Sequence, residues 1–155
     1  MHHLKCHAHK PQLQTMKPTL FDAVGGLTAL QKAHKIFYDK VYAHPWIGQY
    51  FIGHSQEAIE NRQTSFMAEK MGGPIEYMGK DIEMAHEAMY ITDELFDLRK
   101  KLLEESLREA GLEEVLRERW LKIDSAFMKK IVKGSLESFM DTRWLYKKHI
   151  IIPKP

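Results

Sequence analysis

Apolar residues recur at helical spacing along most of the chain, and the sequence has no alternating strand pattern of any length. One apolar stripe begins at Ala29 and ends before Pro45. Others occupy 56–71, a short stretch around His86, and the two long segments 94–110 and 112–133. The pattern predicts an all-α protein whose helices pack around a common centre.

Capping residues and glycines mark the ends of these segments. Thr19 and Thr92 are each followed within three positions by an acidic residue, which is typical of a helix start. Gly72-Gly73-Pro74 ends the helix of 56–71, and residues 75–81 predict an extended connection. Phe51-Ile52-Gly53-His54 predicts a loop.

The chain divides into three parts on this pattern. Residues 1–18 are polar and contain Pro11 and Pro18, which predicts a flexible N-terminal tail. Residues 19–134 hold the helical domain. Residues 135–155 form a C-terminal extension that either packs on the surface or serves as an interaction tail.

Composition narrows the class of protein. Of 155 residues, 44% are hydrophobic and 28% are charged, and the formal net charge of +2 is too small to indicate a nucleic-acid or membrane partner. Because no apolar run approaches the ~18 residues of a membrane span and residues 1–26 contain no secretory signal pattern, we expect a cytoplasmic protein. Cys6 is the only cysteine, so the sequence contains neither a disulfide pair nor a Cys-x-x-Cys-His motif for covalent haem attachment.

Histidine residues provide the candidate metal ligands. The tail carries a cluster that suits a transition metal, although adventitious binding is the simpler interpretation: His2, His3, Cys6, His7 and His9. His86 lies on an apolar helical face, where a neutral imidazole is a good axial ligand for haem iron. The alternative is a buried histidine whose hydrogen bond goes to a backbone carbonyl.

Polar residues on other apolar stripes are candidates for the opposite, distal face of a haem. Tyr38 and Gln63 both lie on predicted inner faces, and their buried polar groups need partners, which a bound ligand would provide. His34, one turn before Tyr38, ranks lower. Arg62 and Lys80 are candidates to pair with the haem propionates. The alternative is that both lie on a solvated face. Phe37, Phe51 and Phe66 suit packing on the ring, whereas the methionines Met67, Met71, Met84 and Met89 are typical of core filling.

The order of several motifs resembles that of the truncated haemoglobins, most closely group I, over about residues 19–133. These motifs are Gly25-Gly26, Phe37-Tyr38-Asp39-Lys40-Val41, Arg62-Gln63-x-x-Phe66, Gly72-Gly73-Pro74-x-x-Tyr77-x-Gly79 and Ala85-His86-x-x-Met89-x-Ile91. Each motif is weak alone, but their order and spacing are fairly specific.

The resemblance implies a two-over-two helical sandwich around a b-type haem. It places His86 at the proximal position and Tyr38 and Gln63 at distal polar positions. Ile59 falls where some members carry a polar residue, so the distal donors here reduce to Tyr38 and Gln63. Arg62 replaces a histidine that binds iron in some members, which argues against a bis-histidine state. The remaining pocket positions it implies are Phe37, Phe51, Phe66, Met67, Tyr77, Lys80 and Met89.

Three functions are consistent with these residues. The first is a haem protein that reversibly binds dioxygen and related diatomics such as nitric oxide or carbon monoxide. The second is a nitric oxide dioxygenase or peroxidase-like enzyme, which would need a separate reductase as partner. The third is a haem-free helical interaction module in which His86 is a core residue.

Overall fold

The computed structural model describes residues 18–141 and 148–155, and this part of the chain is helical, as the sequence predicts. Its α-helices are α1 (Leu20–Val24), α2 (Gly26–Ala43), α3 (Gln56–Lys70), α4 (Ile82–His86), α5 (Asp93–Glu109), α6 (Glu114–Met128) and α7 (Leu136–Asp141). Short 3-10 helices cover Ile47–Phe51 and Lys129–Ile131. The histidine- and cysteine-containing tail, whose cluster could bind a transition metal, lies outside the described residues, apart from Pro18 at its end.

The predicted capping residues begin their helices. The Thr19 hydroxyl accepts a hydrogen bond from the Asp22 amide at the start of α1, and the Thr92 hydroxyl accepts one from Leu95 at the start of α5, both at 3.1 Å. Between α1 and α2, Gly25 adopts a φ of 109°, a left-handed conformation that favours glycine. Local sequence therefore fixes where these helices start and how the chain turns between them.

The long helices α2, α3, α5 and α6 form the core. Helix α2 packs against both α3 and α5, and α5 packs against α6, while α4 contacts the 3-10 segment that follows α6. Fully buried side chains from these helices include Leu30, Phe37, Met67, Leu103, Leu107 and Trp120. The four long helices therefore enclose most of the interior, and the short α4 lies beside them.

Three sequence expectations about local structure are wrong. Phe51 ends a 3-10 helix rather than beginning a loop, and the last long helix changes to 3-10 geometry after Met128 instead of continuing to Gly134. Met84 is 57% exposed, so it does not fill the core. The physical reason in the last case is the length of α4, because a five-residue helix is too short to bury a stripe of side chains.

The end of the C-terminal extension packs back onto the segment after α4. Tyr90 donates its amide hydrogen to Ile150 O at 2.8 Å, and Ile150 donates to Ala88 O at 2.7 Å, which makes an isolated parallel bridge. The Trp46 indole N–H donates to Ile152 O at 2.9 Å. Residues 148–155 thus lie against the domain and fix the chain that leaves α4.

Candidate functional site

His86 is the last residue of α4 and is half-buried. Its Nδ1–H donates to the carbonyl oxygen of Ile82 at 2.8 Å, so Nε2 carries the free lone pair. Burial lowers the pKa of His86, and the charges of Arg99 and Lys133 lower it further. The hydrogen bond to Ile82 has the opposite effect on this pKa, smaller than that of burial. The ring is therefore held as a neutral imidazole with Nε2 as its available nitrogen.

Tyr38 lies deep in α2 among aromatic rings. Its ring meets those of Phe37 at 4.8 Å and Phe51 at 6.0 Å between centroids, both edge-on. Burial raises the pKa of Tyr38 to about 12, against a smaller opposing effect of the Arg99 charge. The phenol therefore stays protonated at neutral pH and can donate a hydrogen bond.

Helix α3 carries the other predicted distal residues. Gln63 and Ile59 are half-buried, and Ile59 packs against the core. Arg62 is exposed, and so is Lys80 in the connection before α4. Gln63 and Ile59 are thus positioned on the inner side of α3, while the two basic groups lie at the surface.

A second aromatic group lies between the end of α3 and α4. The Phe66 ring meets those of Tyr77 at 5.2 Å and Phe127 at 5.3 Å. The same three residues, with Lys70 and Ile82, help to line a cavity of about 320 Å³. Of the predicted pocket residues, Phe66 and Tyr77 line this cavity, whereas Tyr38, Gln63 and His86 do not.

The predicted methionines occupy different environments. Met67 is fully buried in the main core, and Met89 is half-buried in the segment that pairs with Ile150. Met67 therefore belongs to the helix packing itself, as its interpretation as core filler predicts.

The structure buries His34, the lower-ranked candidate beside Tyr38, and pairs it with a residue that sequence reasoning missed. His34 Nδ1 shares a hydrogen bond with the Thr64 hydroxyl at 2.7 Å, its Nε2 has no partner within the described residues, and burial lowers the pKa of His34 to about 3. Arg99 forms a bidentate ion pair with Asp124. A signal for this pair is present in the sequence, since each residue interrupts the apolar stripe of its own helix and the two carry opposite charge.

Comparisons with known proteins identify the family. A family model described as bacterial-like globin matches residues 19–133. A group 1 truncated hemoglobin of Tetrahymena thermophila is 33% identical over 96 residues, which is 62% of this chain and 79% of the relative.

The chain belongs to the bacterial-like globin family.

The resemblance to truncated haemoglobins is thereby confirmed, and solved structures agree. The Fe(III) form of the truncated hemoglobin from Tetrahymena pyriformis matches this globin with a TM-score of 0.70 at 26% identity, covering 76% of this chain and 100% of that one. The group II truncated hemoglobin from Bacillus anthracis matches with a TM-score of 0.71 at 20% identity, covering 79% of this chain and 98% of that one. The two-over-two globin fold is therefore shared even where sequence identity is low.

Membership of this family implies a haem cofactor, and the residues present fit that group. A histidine binds haem iron through a neutral imidazole nitrogen, and metal-binding histidines usually donate their second N–H to a carbonyl, as His86 does to Ile82. Phe51 packs edge-on against Tyr38, and Phe66 packs edge-on against Phe127, and such apolar aromatic rings suit a flat macrocycle. No helix in the described ranges is long and apolar enough to cross a membrane.

Proposed function

We propose that this globin holds a haem through His86 Nε2 and reversibly binds dioxygen, or related diatomics such as nitric oxide and carbon monoxide. The observation that carries the proposal is the tautomer of His86. The Ile82 carbonyl accepts a hydrogen bond from Nδ1–H, and Nε2 keeps its lone pair for a metal. Lys133 Nζ also donates to the His86 carbonyl at 3.2 Å, which holds the backbone at this residue.

When bound, the haem supplies an iron with one position for a diatomic ligand. The chain's own residues then orient that ligand. Tyr38 would donate its hydroxyl hydrogen, because burial raises the pKa of Tyr38 to about 12 and the proton is retained. Gln63 would supply a second donor from α3, and the apolar side chain of Ile59 would limit access of water.

The remaining predicted residues would enclose the cofactor. The exposed cations of Arg62 and Lys80 suit the propionates at the solvent edge, since charged carboxylates favour cationic partners there. The rest of the pocket wall would come from Phe37, Phe51, Phe66, Met67, Tyr77 and Met89. We further propose that the haem is of b type, held without a covalent bond, because the only cysteine is Cys6.

The first test is the absorption spectrum of the purified protein in its oxidised state, reduced state, and reduced state under air. We expect a strong Soret band and an air-stable reduced form, and extraction of all the haem into acidified butanone. Absence of the band after added haem would overturn the proposal. Haem that stays with the protein on extraction would overturn the b-type assignment.

Tyr38→Phe tests the distal assignment. Loss of one hydrogen bond to the ligand corresponds to roughly fivefold faster dioxygen dissociation, because a single bond contributes on the order of 1 kcal/mol. Tyr42→Phe is the matched control, since it removes a neighbouring hydroxyl that donates to His54 O at 3.1 Å. An unchanged dissociation rate in Tyr38→Phe would remove Tyr38 from this role.

A further inference from the structure

A buried ion pair joins α5 and α6 in the core. The Arg99 guanidinium meets the Asp124 carboxylate through Nη1–Oδ2 at 2.6 Å and Nη2–Oδ1 at 3.1 Å. The two side chains are 15% and 1% exposed. Because such a pair loses much hydration free energy, apolar residues of similar volume often stabilise a core as well or better. Stability alone therefore gives no reason for a charge pair at this place.

Arg99 lies against the part of α2 that carries Tyr38. Its central guanidinium carbon is 5.3 Å from the centroid of the Phe37 ring, which in turn meets the Tyr38 ring edge-on at 4.8 Å. The electrostatic influence is mutual. Burial raises the pKa of Tyr38 while the charge of Arg99 lowers it. Burial lowers the pKa of Arg99, but Asp124 and, after it, Tyr38 raise this pKa above its usual value through charge and side-chain hydrogen bonding.

The hydrogen-bonding chemistry of Arg99 and Tyr38 restricts where the hydroxyl hydrogen of Tyr38 can point. A guanidinium has five N–H donors and no acceptor, whereas a phenol has one donor and oxygen lone pairs. A neighbouring cation attracts the lone pairs of the hydroxyl and repels its proton. Both oxygens of Asp124, the carboxylate that pairs with this cation, already accept hydrogen bonds from Arg99.

We propose that Arg99, held in place by Asp124, is a positioning residue that turns the Tyr38 hydroxyl so that its proton points to the bound diatomic ligand. The inference rests on the proposed function, since it concerns the distal hydrogen bond. It assigns the buried ion pair a role in ligand retention, exerted through Tyr38 and not by contact with the ligand.

A double-mutant cycle on the haem-loaded protein tests this role. The variants are Arg99→Met/Asp124→Leu, Tyr38→Phe, and the combination of all three substitutions. Replacing both charges together avoids an uncompensated buried carboxylate. Arg108→Met is the matched control, because Arg108 lies on the same helix and pairs with Glu104 at the surface. The readouts are the dioxygen dissociation rate and the C–O stretching frequency of the carbon monoxide form.

With Tyr38 present, we expect the charge-pair replacement to speed dioxygen dissociation severalfold and to raise the C–O frequency, with Arg108→Met unchanged. With Phe at position 38, we expect the same replacement to change neither readout.

An equal effect in both backgrounds would mean a direct or purely structural action and would overturn the inference. No effect in either background would also overturn the inference. The proposed function would still stand in that case if Tyr38→Phe alone speeds dioxygen dissociation. If Tyr38→Phe alone has no effect, the distal part of the proposed function fails first and the inference with it.

Discussion

The two sides of the candidate haem site are held by different forces. On the distal side, Tyr38 and His34 lie on the 18-residue helix α2 and are buried, with 5% and 1% of their surfaces exposed. On the proximal side, His86 ends a five-residue helix and is half-buried. Its position depends on hydrogen bonds to backbone carbonyls, those of Ile82 and of His86 itself.

Because of this difference, we expect the two sides to respond differently to substitution. The distal side combines dense packing with buried polar groups, so that a single side-chain change there leaves a charge or a donor without a partner. The proximal side relies on backbone pairing with Ile150, a residue far away in sequence. We therefore expect side-chain substitutions on the distal side to have the largest effects on the free energy of unfolding. Loss of backbone pairing on the proximal side should affect only residues nearby.

The largest expected effect is on the buried ion pair. Arg99→Met leaves the Asp124 carboxylate buried without its partner and should lower the free energy of unfolding by about 3–5 kcal/mol. Arg99→Met/Asp124→Leu should recover most of that loss. Urea denaturation of both variants and of Arg108→Met provides the comparison, and a single variant as stable as the double would show that the carboxylate is not buried in solution.

His34 gives the next largest effect, through pH. Burial lowers the pKa of His34 to about 3, with Arg99 acting in the same direction, while the unfolded value is 6.5. The unfolded chain therefore binds an extra proton between these values. The stability contributed by the neutral ring is fully present above pH 6.5 and is lost as the pH falls toward 3.

The measurement is the free energy of unfolding at pH 6.5 and at pH 5 for the parent and for His34→Gln. The parent should lose about 2 kcal/mol more than the variant over this interval, because each pH unit corresponds to about 1.4 kcal/mol. Equal losses would mean that His34 takes up a proton in the folded state.

The smallest effect should come from the proximal pairing. Ile150→Pro removes the N–H that donates to Ala88 O at 2.7 Å, a loss of about 1 kcal/mol. Hydrogen exchange at the amide of Tyr90, which donates to Ile150 O, should become severalfold faster, with little change in the amides of α2. Ile151→Pro is the matched control. Equal exchange at Tyr90 in both variants would mean that the pairing of Ile150 does not hold the segment after α4.

The sequence predicts local features of this globin better than its long-range contacts. Thr19 and Thr92 could be assigned as caps because a cap depends on residues a few positions away. His86 and Tyr38 stood out as polar groups on apolar stripes. The Arg99–Asp124 pair was missed because a charge on an apolar stripe resembles a solvated position until its partner on another helix is known.

The C-terminal residues show the same limit. The sequence leaves open whether the C-terminal extension packs on the surface or serves as an interaction tail. In the structure, Ile150 and Ile152 bond to Ala88, Tyr90 and Trp46, which no local pattern relates to them. Likewise, the tautomer of His86 depends on the carbonyl that its ring meets in the folded chain. These contacts follow from how the helices are arranged in space, which single-sequence periodicity does not specify.

The most direct test of the proximal assignment is chemical rescue. His86→Gly removes the imidazole, and His54→Gly removes one in an exposed loop as control. We expect His54→Gly to give the parental haem spectrum, His86→Gly to lose or shift the Soret band, and added free imidazole to restore it. A parental spectrum in His86→Gly without imidazole would contradict the assignment of His86 as the iron ligand.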